Sequence, residues 1–422
     1  MATPTRARCA RSWNTFHVAP ESFPFDPEAA LARYASRSRD SRGRLHGEPP
    51  PAYRTEFQRD RDRIVHCGAF RRLEYKTQVF VNHVGDMYRT RLTHTIEVAQ
   101  IARSIARALR LNEDLAEAIA LAHDLGHTPF GHAGQEALND CMRPYGGFEH
   151  NRQSLRVVDL LETRYADFDG LNLCFETREG ILKHCARKNA AELGAVAARF
   201  LQGGQPSLEA QLTNLADEIA YNNHDVDDGL RSGLICIDQL RQIDLFAAPY
   251  EAVARRYGSL PPRRHIAETV RRMINSEVSD LIATSAERLA QAAPQDPEEV
   301  RIQPAPLIAY SEAMAAHQRQ LKRFLYRALY RHPQVTAMNQ DADALIRALF
   351  DHFMSHPDDL PADTALKAQN LLSTNGTAGQ ARTVADHIAG MTDRFALEQA
   401  RRLGLAGGLN AAAPAEPSFP AH

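Results

Sequence analysis

The sequence predicts an all-α protein, and three observations lead to that class. From about Thr55 onward, apolar residues recur mainly at the spacing of a buried helix face. Strand-like alternation is rare, and the segment from Gln78 to Tyr88 is the one place where a short β-hairpin fits. Glycines and prolines cluster between the periodic segments, where helices are expected to end. We therefore expect a helical bundle with at most one short hairpin.

The elements follow in chain order. Residues 1–50 are rich in arginine, serine and proline, and we expect them to be irregular. Residues 202–207 favour a loop, and the proline-rich residues 295–306 favour a connection between two helical halves. The remaining periodic segments are predicted as helices over 93–111, 115–125, 151–161, 208–226, 266–291, 307–353 and 381–403.

These elements divide the chain into four parts. An irregular N-terminal segment covers 1–50, and a helical core covers 51–295. A C-terminal helical region, 296–405, packs on that core in our interpretation, and the Gly/Ala/Pro-rich residues 406–422 are expected to form a disordered tail. We expect one large domain rather than two.

Composition narrows the class of protein. The 422 residues are 44% hydrophobic and 24% charged with a net charge of −2, which is typical of a globular protein and not of a DNA-binding polycation. Six cysteines occur without any CxxC pair, so we do not expect a thiolate zinc site. Scattered cysteines of this kind favour a location in the reducing cytoplasm. No apolar segment is long enough to span a membrane. The first twenty residues loosely resemble a transit peptide, but we interpret them as a disordered tail.

Arginines are dense near the N-terminus, and the run from Arg54 to Arg63 alternates in charge. A solvated helix face explains this run, and a surface facing phosphate or nucleic acid is the alternative.

The stretch from Leu121 to Gly134 contains three histidines and one aspartate, a density that favours a metal site. His123 and Asp124 are adjacent, and His94 lies at the end of an apolar helical stripe, where it needs a partner. Asp217 begins a polar stripe on a later helix, followed on the same face by Tyr221. Two imidazoles and two carboxylates suit Mn, Fe, Ni, Co or Zn better than Mg.

The motifs as a set resemble the deoxyguanosine triphosphate triphosphohydrolase-like family of the HD-domain phosphohydrolases. The H…HD…D pattern is carried by His94, His123, Asp124 and Asp217. The resemblance extends over about 50–405, through the stretches 70–80, 89–94, 123–132, 147–154, 217–228 and 386–394. It implies an HD-domain helical bundle over 51–295, with the C-terminal helical region as an addition.

The resemblance also implies an activity, which is hydrolysis of a deoxynucleoside triphosphate to the deoxynucleoside and tripolyphosphate by metal-activated water attacking the α-phosphate. Its metal ligands would be His94, His123, Asp124 and Asp217, with Mn²⁺ or Mg²⁺ as the expected ion and Fe, Ni, Co or Zn as alternatives. Its catalytic histidines would be His132, His127 and His150. Its substrate-binding residues would be Arg91, Gln78, Lys183, Tyr221 and Asp225. Homo-oligomers, and binding of single-stranded DNA or a regulatory nucleotide, are further implications.

One position departs from the family pattern. Many relatives carry a glutamate three residues after the catalytic histidine, where this chain has Gln135 followed by Glu136. We expect either Gln135, by hydrogen bonding, or a carboxylate other than Glu136, such as Glu149, to orient His132. Two alternative functions remain: another HD-type nucleotide phosphatase or phosphodiesterase, and a weakly active regulatory protein that binds single-stranded DNA or nucleotides.

Overall fold

The structure, a computed structural model, describes residues 26–78 and 89–405. The all-α prediction is confirmed over these residues, whose one β pairing is an isolated antiparallel bridge between Thr77 and Thr90. The predicted hairpin at 78–88 lies outside the described residues except for Gln78, as does the predicted tail at 406–422. Over the described ranges, no helix is both long and apolar enough to cross a membrane.

The helices of the first half include those that carry the predicted metal ligands. They are α1 (Glu56–Val65), α2 (Gly68–Arg72), α3 (Arg91–Ala108), α4 (Glu113–Ala122), α5 (Gly131–Met142), α6 (His150–Arg156), α7 (Phe175–Ile181), α8 (Arg187–Ala190), α9 (Ala198–Gln202) and α10 (Leu208–Arg231). A π-helical turn, Val157–Leu161, extends α6.

The helices of the second half are longer on average. They are α11 (Ile237–Leu240), α12 (Asp244–Tyr257), α13 (Pro262–Ala292), α14 (Pro297–Arg301), α15 (Glu312–Leu325), α16 (Pro333–Ser355), α17 (Ala362–Ala389) and α18 (Asp393–Arg402). A π-helical turn, Tyr326–Tyr330, follows α15.

Helices α3, α4 and α10 pack together at the centre of the first half. The Thr90 side chain caps α3, and the apolar stripe of this helix, which includes Val98, Ile101 and Ile105, is buried in the core. Asn112 caps α4, whose alanine-rich sequence lets neighbouring helices approach closely. The candidates His94, His123 and Asp124 therefore lie at helix ends fixed by a buried core, and Asp217 lies in the middle of α10.

Helices α16, α17 and α18 share a second apolar core with α5. Phe130 and Leu138 from the α5 region meet Phe350 and Phe353 of α16 and Ile388 of α17 there. The helix that carries His132 is therefore sandwiched between the first half of the chain and its C-terminal helices.

The structure corrects three predicted boundaries. The helix predicted over 307–353 is broken, because Pro333 starts a new helix behind the capping residue His332. The helix predicted over 381–403 stops at Ala389 and restarts at Asp393 behind the cap Thr392. The predicted connection at 295–306 contains the short helix α14, which begins with a proline at its first position.

Residues 26–50 are irregular apart from one 3₁₀ turn, Ser38–Asp40, yet they are bonded to the first half of the chain. The backbone and hydroxyl of Ser36 both donate to the buried carboxylate of Glu209, at 3.0 and 2.9 Å. Arg44 donates to the buried Asp60. Charged contacts of this kind explain part of the arginine density near the N-terminus.

Candidate metal centre and substrate cleft

Four side chains from separate elements converge on one point. His94 belongs to α3, His123 and Asp124 directly follow α4, and Asp217 belongs to α10. Nε2 of His94 lies 2.9 Å from Oδ1 of Asp217, and Nε2 of His123 lies 3.2 Å from Asp124 and 3.6 Å from Asp217. Ligand atoms of His94, His123 and Asp124 all lie within 4.8 Å of one another, so these three form a cluster able to hold a metal ion.

The hydrogen bonding of His123 shows why this cluster suits a cation. Its Nδ1 lies 2.6 Å from the carbonyl oxygen of Ala120, which only accepts, so Nδ1 carries the proton and Nε2 presents a lone pair. That Nε2 is buried and makes no hydrogen bond with the described residues, although two carboxylates lie beside it. Acceptors facing one another in a buried site repel unless a cation lies between them. The residues therefore fit a divalent ion.

Two buried or partly buried cations balance the carboxylates. Arg91 Nη1 donates to Asp124 over 2.7 Å, and Lys183 Nζ donates to Asp217 over 2.6 Å. Burial alone would raise the pKa of Asp124, but the positive charge of Arg91 beside it helps to outweigh burial and holds that pKa well below its ordinary value. Burial would likewise raise the pKa of Asp217, but the positive charge of Lys183 outweighs burial and holds that pKa well below its ordinary value. Both aspartates are thus ionised at neutral pH.

Arg91 has hydrogen-bond donors that no described residue uses. It is 1% exposed, and its Nε and Nη2 atoms have no hydrogen-bond partner among the described residues. A buried guanidinium with unused donors beside a cluster of metal ligands is suited to bind an anion.

The three predicted catalytic histidines lie next to this centre. The rings of His127 and His150 stack with centroids 4.2 Å apart, and the His132 ring meets His127 edge-on at 5.8 Å. Nε2 of His127 is 3.4 Å from Oδ1 of Asp124. Burial lowers the pKa of His127 well below its ordinary value and that of His150 to about 3, which keeps both imidazoles neutral.

Local backbone geometry places these histidines. Phe130 and Gly131 both adopt positive φ, of 61° and 57°, and this turn directs α5 so that His132 is exposed in its first turn. Gly126 allows α6 to lie against the loop after α4, because a Cβ there would fall 2.1 Å from the Ser154 backbone nitrogen. Ser154 also bonds Gly126 and the His123 carbonyl through its hydroxyl, at 2.9 and 3.0 Å.

The expectation that Gln135 or Glu149 orients His132 is wrong. Nδ1 of His150 lies 2.6 Å from Gln135 Oε1 and 3.2 Å from Glu149 Oε1. Glu149 also caps α6 through the backbone amides of Asn151 and Arg152. The reason is the helical turn: Gln135 faces α6, whereas Glu136, one turn after His132, is exposed with it on the other side.

A cleft of about 640 Å³ opens beside His132, and Gln78 and Tyr221 line it with that histidine. Gln78 is 5% exposed, and its Oε1 makes no hydrogen bond with described residues. Asp225 does not line this cleft: it accepts a hydrogen bond from the Tyr330 hydroxyl. Burial raises the pKa of Asp225 to about 8, an effect that the bond from Tyr330 opposes. Of the predicted substrate-binding residues Gln78, Tyr221 and Asp225, the structure therefore brings the first two into the cleft and places the third behind a tyrosine.

Sequence reasoning assigned no role to four further residues around the site. The buried Lys76 donates to the carbonyl oxygens of His127 and, over 2.8 Å, of Ala389. The buried Asp393 accepts from the backbone amides of Thr77 and Phe130, both at 2.9 Å, and thereby ties α18 to both sides of the cleft. His224 and Glu97 contact each other beside His94. Lys76 and Asp393 both fall inside motifs that carried the family resemblance, a signal that could have singled them out.

Comparisons with known proteins agree with this geometry. The HD domain family matches residues 91–222, and a phosphohydrolase-associated domain matches 308–402. A deoxyguanosinetriphosphate triphosphohydrolase-like protein of Ralstonia nicotianae is 61% identical over 380 residues, which cover 90% of this chain and 96% of that protein. Proteins of the same name from Bordetella pertussis and Azoarcus sp. are 60% and 61% identical, each over 88% of this chain and 96% of their own length. This chain belongs to the deoxyguanosinetriphosphate triphosphohydrolase-like family of HD-domain phosphohydrolases.

Proposed function

We propose that this protein hydrolyses deoxynucleoside triphosphates, dGTP among them, to the deoxynucleoside and tripolyphosphate. The observation that carries the proposal is the cluster of His94, His123 and Asp124, with Asp217 2.9 Å from His94, beside a buried arginine whose donors are partly unused and a nucleoside-sized cleft. The names of the relatives supply the substrate class, since each is called deoxyguanosinetriphosphate triphosphohydrolase-like.

His94, His123, Asp124 and Asp217 would hold one divalent ion, for which we propose Mn²⁺ or Mg²⁺. Such an ion, when bound, lowers the pKa of water and offsets negative charge on a phosphoryl group. The protein's contribution is a dry and ordered ligand set: three of these side chains are at most 5% exposed, and the Ala120 carbonyl fixes the tautomer of His123.

Arg91 and Lys183 would bind the phosphates. Each already donates to one of the aspartates that would hold the ion, so each would lie close to the phosphate that such an ion binds. The unused Nε and Nη2 donors of Arg91 can form two charge-assisted hydrogen bonds to phosphoryl oxygens. Binding the α-phosphate there would orient it for in-line attack.

His132 would transfer the proton that the leaving group needs. In the reaction, a water molecule loses a proton as its oxygen bonds to the α-phosphorus, the bond from that phosphorus to the 5′-oxygen breaks, and the 5′-oxygen takes up a proton, so that one proton is released and one is consumed. His132 is the exposed member of the histidine cluster and faces the cleft, so it can donate to that oxygen. The neutral His127 and His150 would pack against His132 and hydrogen-bond phosphate.

Gln78 and Tyr221 would hold the sugar, and Asp225 would act on it through Tyr330. The unpaired Oε1 of Gln78 can accept a hydrogen bond from a 3′-hydroxyl. A tyrosine ring close to the sugar would exclude a 2′-hydroxyl and so select deoxy substrates. We also propose that the protein acts in the cytoplasm as a homo-oligomer, which light scattering coupled to gel filtration would test.

The test is incubation of the purified protein with each of the four dNTPs plus Mn²⁺ or Mg²⁺, followed by chromatographic separation of the products. We expect deoxynucleoside and tripolyphosphate in equal amounts, and near-complete loss of both in Asp124→Ala and His132→Ala. Orthophosphate or a nucleotide as product would instead indicate another HD-type phosphatase or phosphodiesterase. Salt-dependent binding of single-stranded DNA without any turnover would indicate a regulatory protein.

A further inference from the structure

The cleft beside His132 extends well beyond the groups that the proposed reaction uses. His132, Gln78 and Tyr221 contribute to one part of its lining, and residues from Tyr326 to Asp343 form another part. The latter belong to the π-helical turn after α15 and to the first half of α16. Its volume of about 640 Å³ is in the range of small-molecule binding sites. If the 5′-oxygen lies at His132 and the sugar at Gln78 and Tyr221, as proposed above, the base must lie toward α16.

Two carboxylates line this cleft, and they differ in one respect. Asp343 accepts two hydrogen bonds from Arg347, at 2.8 and 2.9 Å, so its charge is already neutralised. Glu136 forms neither an ion pair nor a hydrogen bond with any residue in the described ranges, and its side chain is exposed. Glu136 therefore has its full accepting capacity available to a ligand.

A guanidinium also lines the cleft. Arg331 stacks over the Tyr326 ring at 4.8 Å and donates to the Tyr326 hydroxyl over 2.6 Å. Within 26–78 and 89–405, no carboxylate pairs with it, so its remaining donors are available to a ligand in the cleft that it lines. The cleft thus offers an acceptor pair on α5 and a donor fork next to α16.

Among the four bases, guanine matches this combination best. Its Watson–Crick edge presents two adjacent donors, N1–H and the N2 amine, which can bind both oxygens of one carboxylate, and its O6 and N7 accept from an arginine fork. Adenine and cytosine place a ring-nitrogen acceptor beside the amine, where it would face the carboxylate. Thymine places carbonyl oxygens on both sides of its single N–H.

We infer that Glu136 is a specificity-determining residue, which binds the Watson–Crick edge of guanine and makes the site prefer dGTP to dTTP. This inference rests on the proposed function for the placement of phosphate and sugar, but it adds the base and the residue that selects it. It also gives a role to the carboxylate that follows Gln135.

The test compares kcat/KM for the four dNTPs in the wild type, Glu136→Gln and Asp343→Asn. One bidentate contact to a base corresponds to a discrimination of about 5- to 150-fold. We expect the ratio of dGTP to dTTP rates to fall by a factor in that range in Glu136→Gln. Asp343→Asn is the matched control from the same cleft, and it should change the ratio by less than about twofold. A loss that is equal for all four substrates in Glu136→Gln would overturn the inference.

A binding measurement separates this inference from the proposed reaction. Titration calorimetry with deoxyguanosine and thymidine needs neither metal nor turnover. Preferential binding of deoxyguanosine that is lost in Glu136→Gln would support the base site even if no dNTP were hydrolysed. Equal binding of both nucleosides, together with tripolyphosphate release from all four dNTPs, would sink the inference and leave the proposed function standing.

Discussion

Asp393 is one residue through which the C-terminal helices hold the cleft in place, and replacing it with alanine tests that arrangement. Its carboxylate accepts from the Thr77 amide and hydroxyl on one side and from the Phe130 amide on the other. Residue Thr77 precedes Gln78, and Phe130 lies two residues before His132. Asp393→Ala therefore frees both the sugar-binding and the proton-transfer sides of the cleft.

The expected loss in the free energy of unfolding follows from the groups that Asp393→Ala leaves without partners. Two buried backbone amides lose their acceptor, at about 1–3 kcal/mol each, and the Thr77 hydroxyl can rotate to another partner, so the loss is about 2–6 kcal/mol. Burial, with the charges of Arg72 and Arg91, already lowers the pKa of Lys76 to about 7. Lys76 can therefore shed its proton when Asp393 is removed, which limits any further cost. An unfolding entropy of about 2 cal/mol/K per residue over 422 residues converts this loss to a melting-temperature drop of about 2–7 °C.

The assay is a thermal melt of Asp393→Ala beside Asp351→Ala. Asp351 is an exposed residue of α16 whose side chain accepts no hydrogen bond from the described residues, so its removal should leave the melting temperature within about 1 °C. We also expect dNTP hydrolysis by Asp393→Ala to fall at a temperature where the variant is still folded. A melting temperature and a turnover rate equal to those of the control would refute the structural role of Asp393.

Three further predictions test other parts of the account. Gly126→Ala forces a Cβ against the Ser154 backbone and should lower the free energy of unfolding in a denaturant melt by about 1–3 kcal/mol or more. Gly47→Ala, which has open space around it, is the control and should leave that free energy unchanged. Equal losses in the two variants would contradict the close approach of α6 to Gly126. Burial raises the pKa of Glu277 to about 8, so stability that is full below about pH 4.5 declines as pH rises through 8. Glu277→Gln has no proton to lose, and its melting temperature relative to wild type should increase from pH 5 to 9; a difference independent of pH would speak against this. Gln135→Glu places a charge next to Nδ1 of His150 and should raise the pKa of that imidazole above its present value of about 3, as followed by NMR; an unchanged titration would mean that the contact is not made in solution.

Sequence alone predicted the helices, and which histidines and aspartates come together, better than it predicted the surroundings of that cluster. Helical spacing located α3, α4 and α10 because each buries one continuous apolar stripe, and such a stripe can be recognised from the local sequence. Helix ends near Pro333 and Thr392 were missed, because the apolar pattern continues across both breaks.

Contacts between distant segments could not be predicted in the same way. Nothing in the local sequence shows that Gln135 turns toward His150, because that depends on how α6 packs on Gly126. The contact between Asp225 and Tyr330 joins residues 105 positions apart, and that between Thr77 and Asp393 joins residues 316 apart. Tertiary packing of the C-terminal helices, rather than any local pattern, decides which polar residues reach the cleft.

Anomalous diffraction from crystals soaked in Mn²⁺ would show whether the four ligand candidates hold an ion. We expect one strong anomalous peak within ligand distance of His94, His123, Asp124 and Asp217, and its loss in crystals of Asp124→Ala. A peak elsewhere, or none among these four side chains at saturating Mn²⁺, would contradict the metal centre on which the proposed chemistry depends.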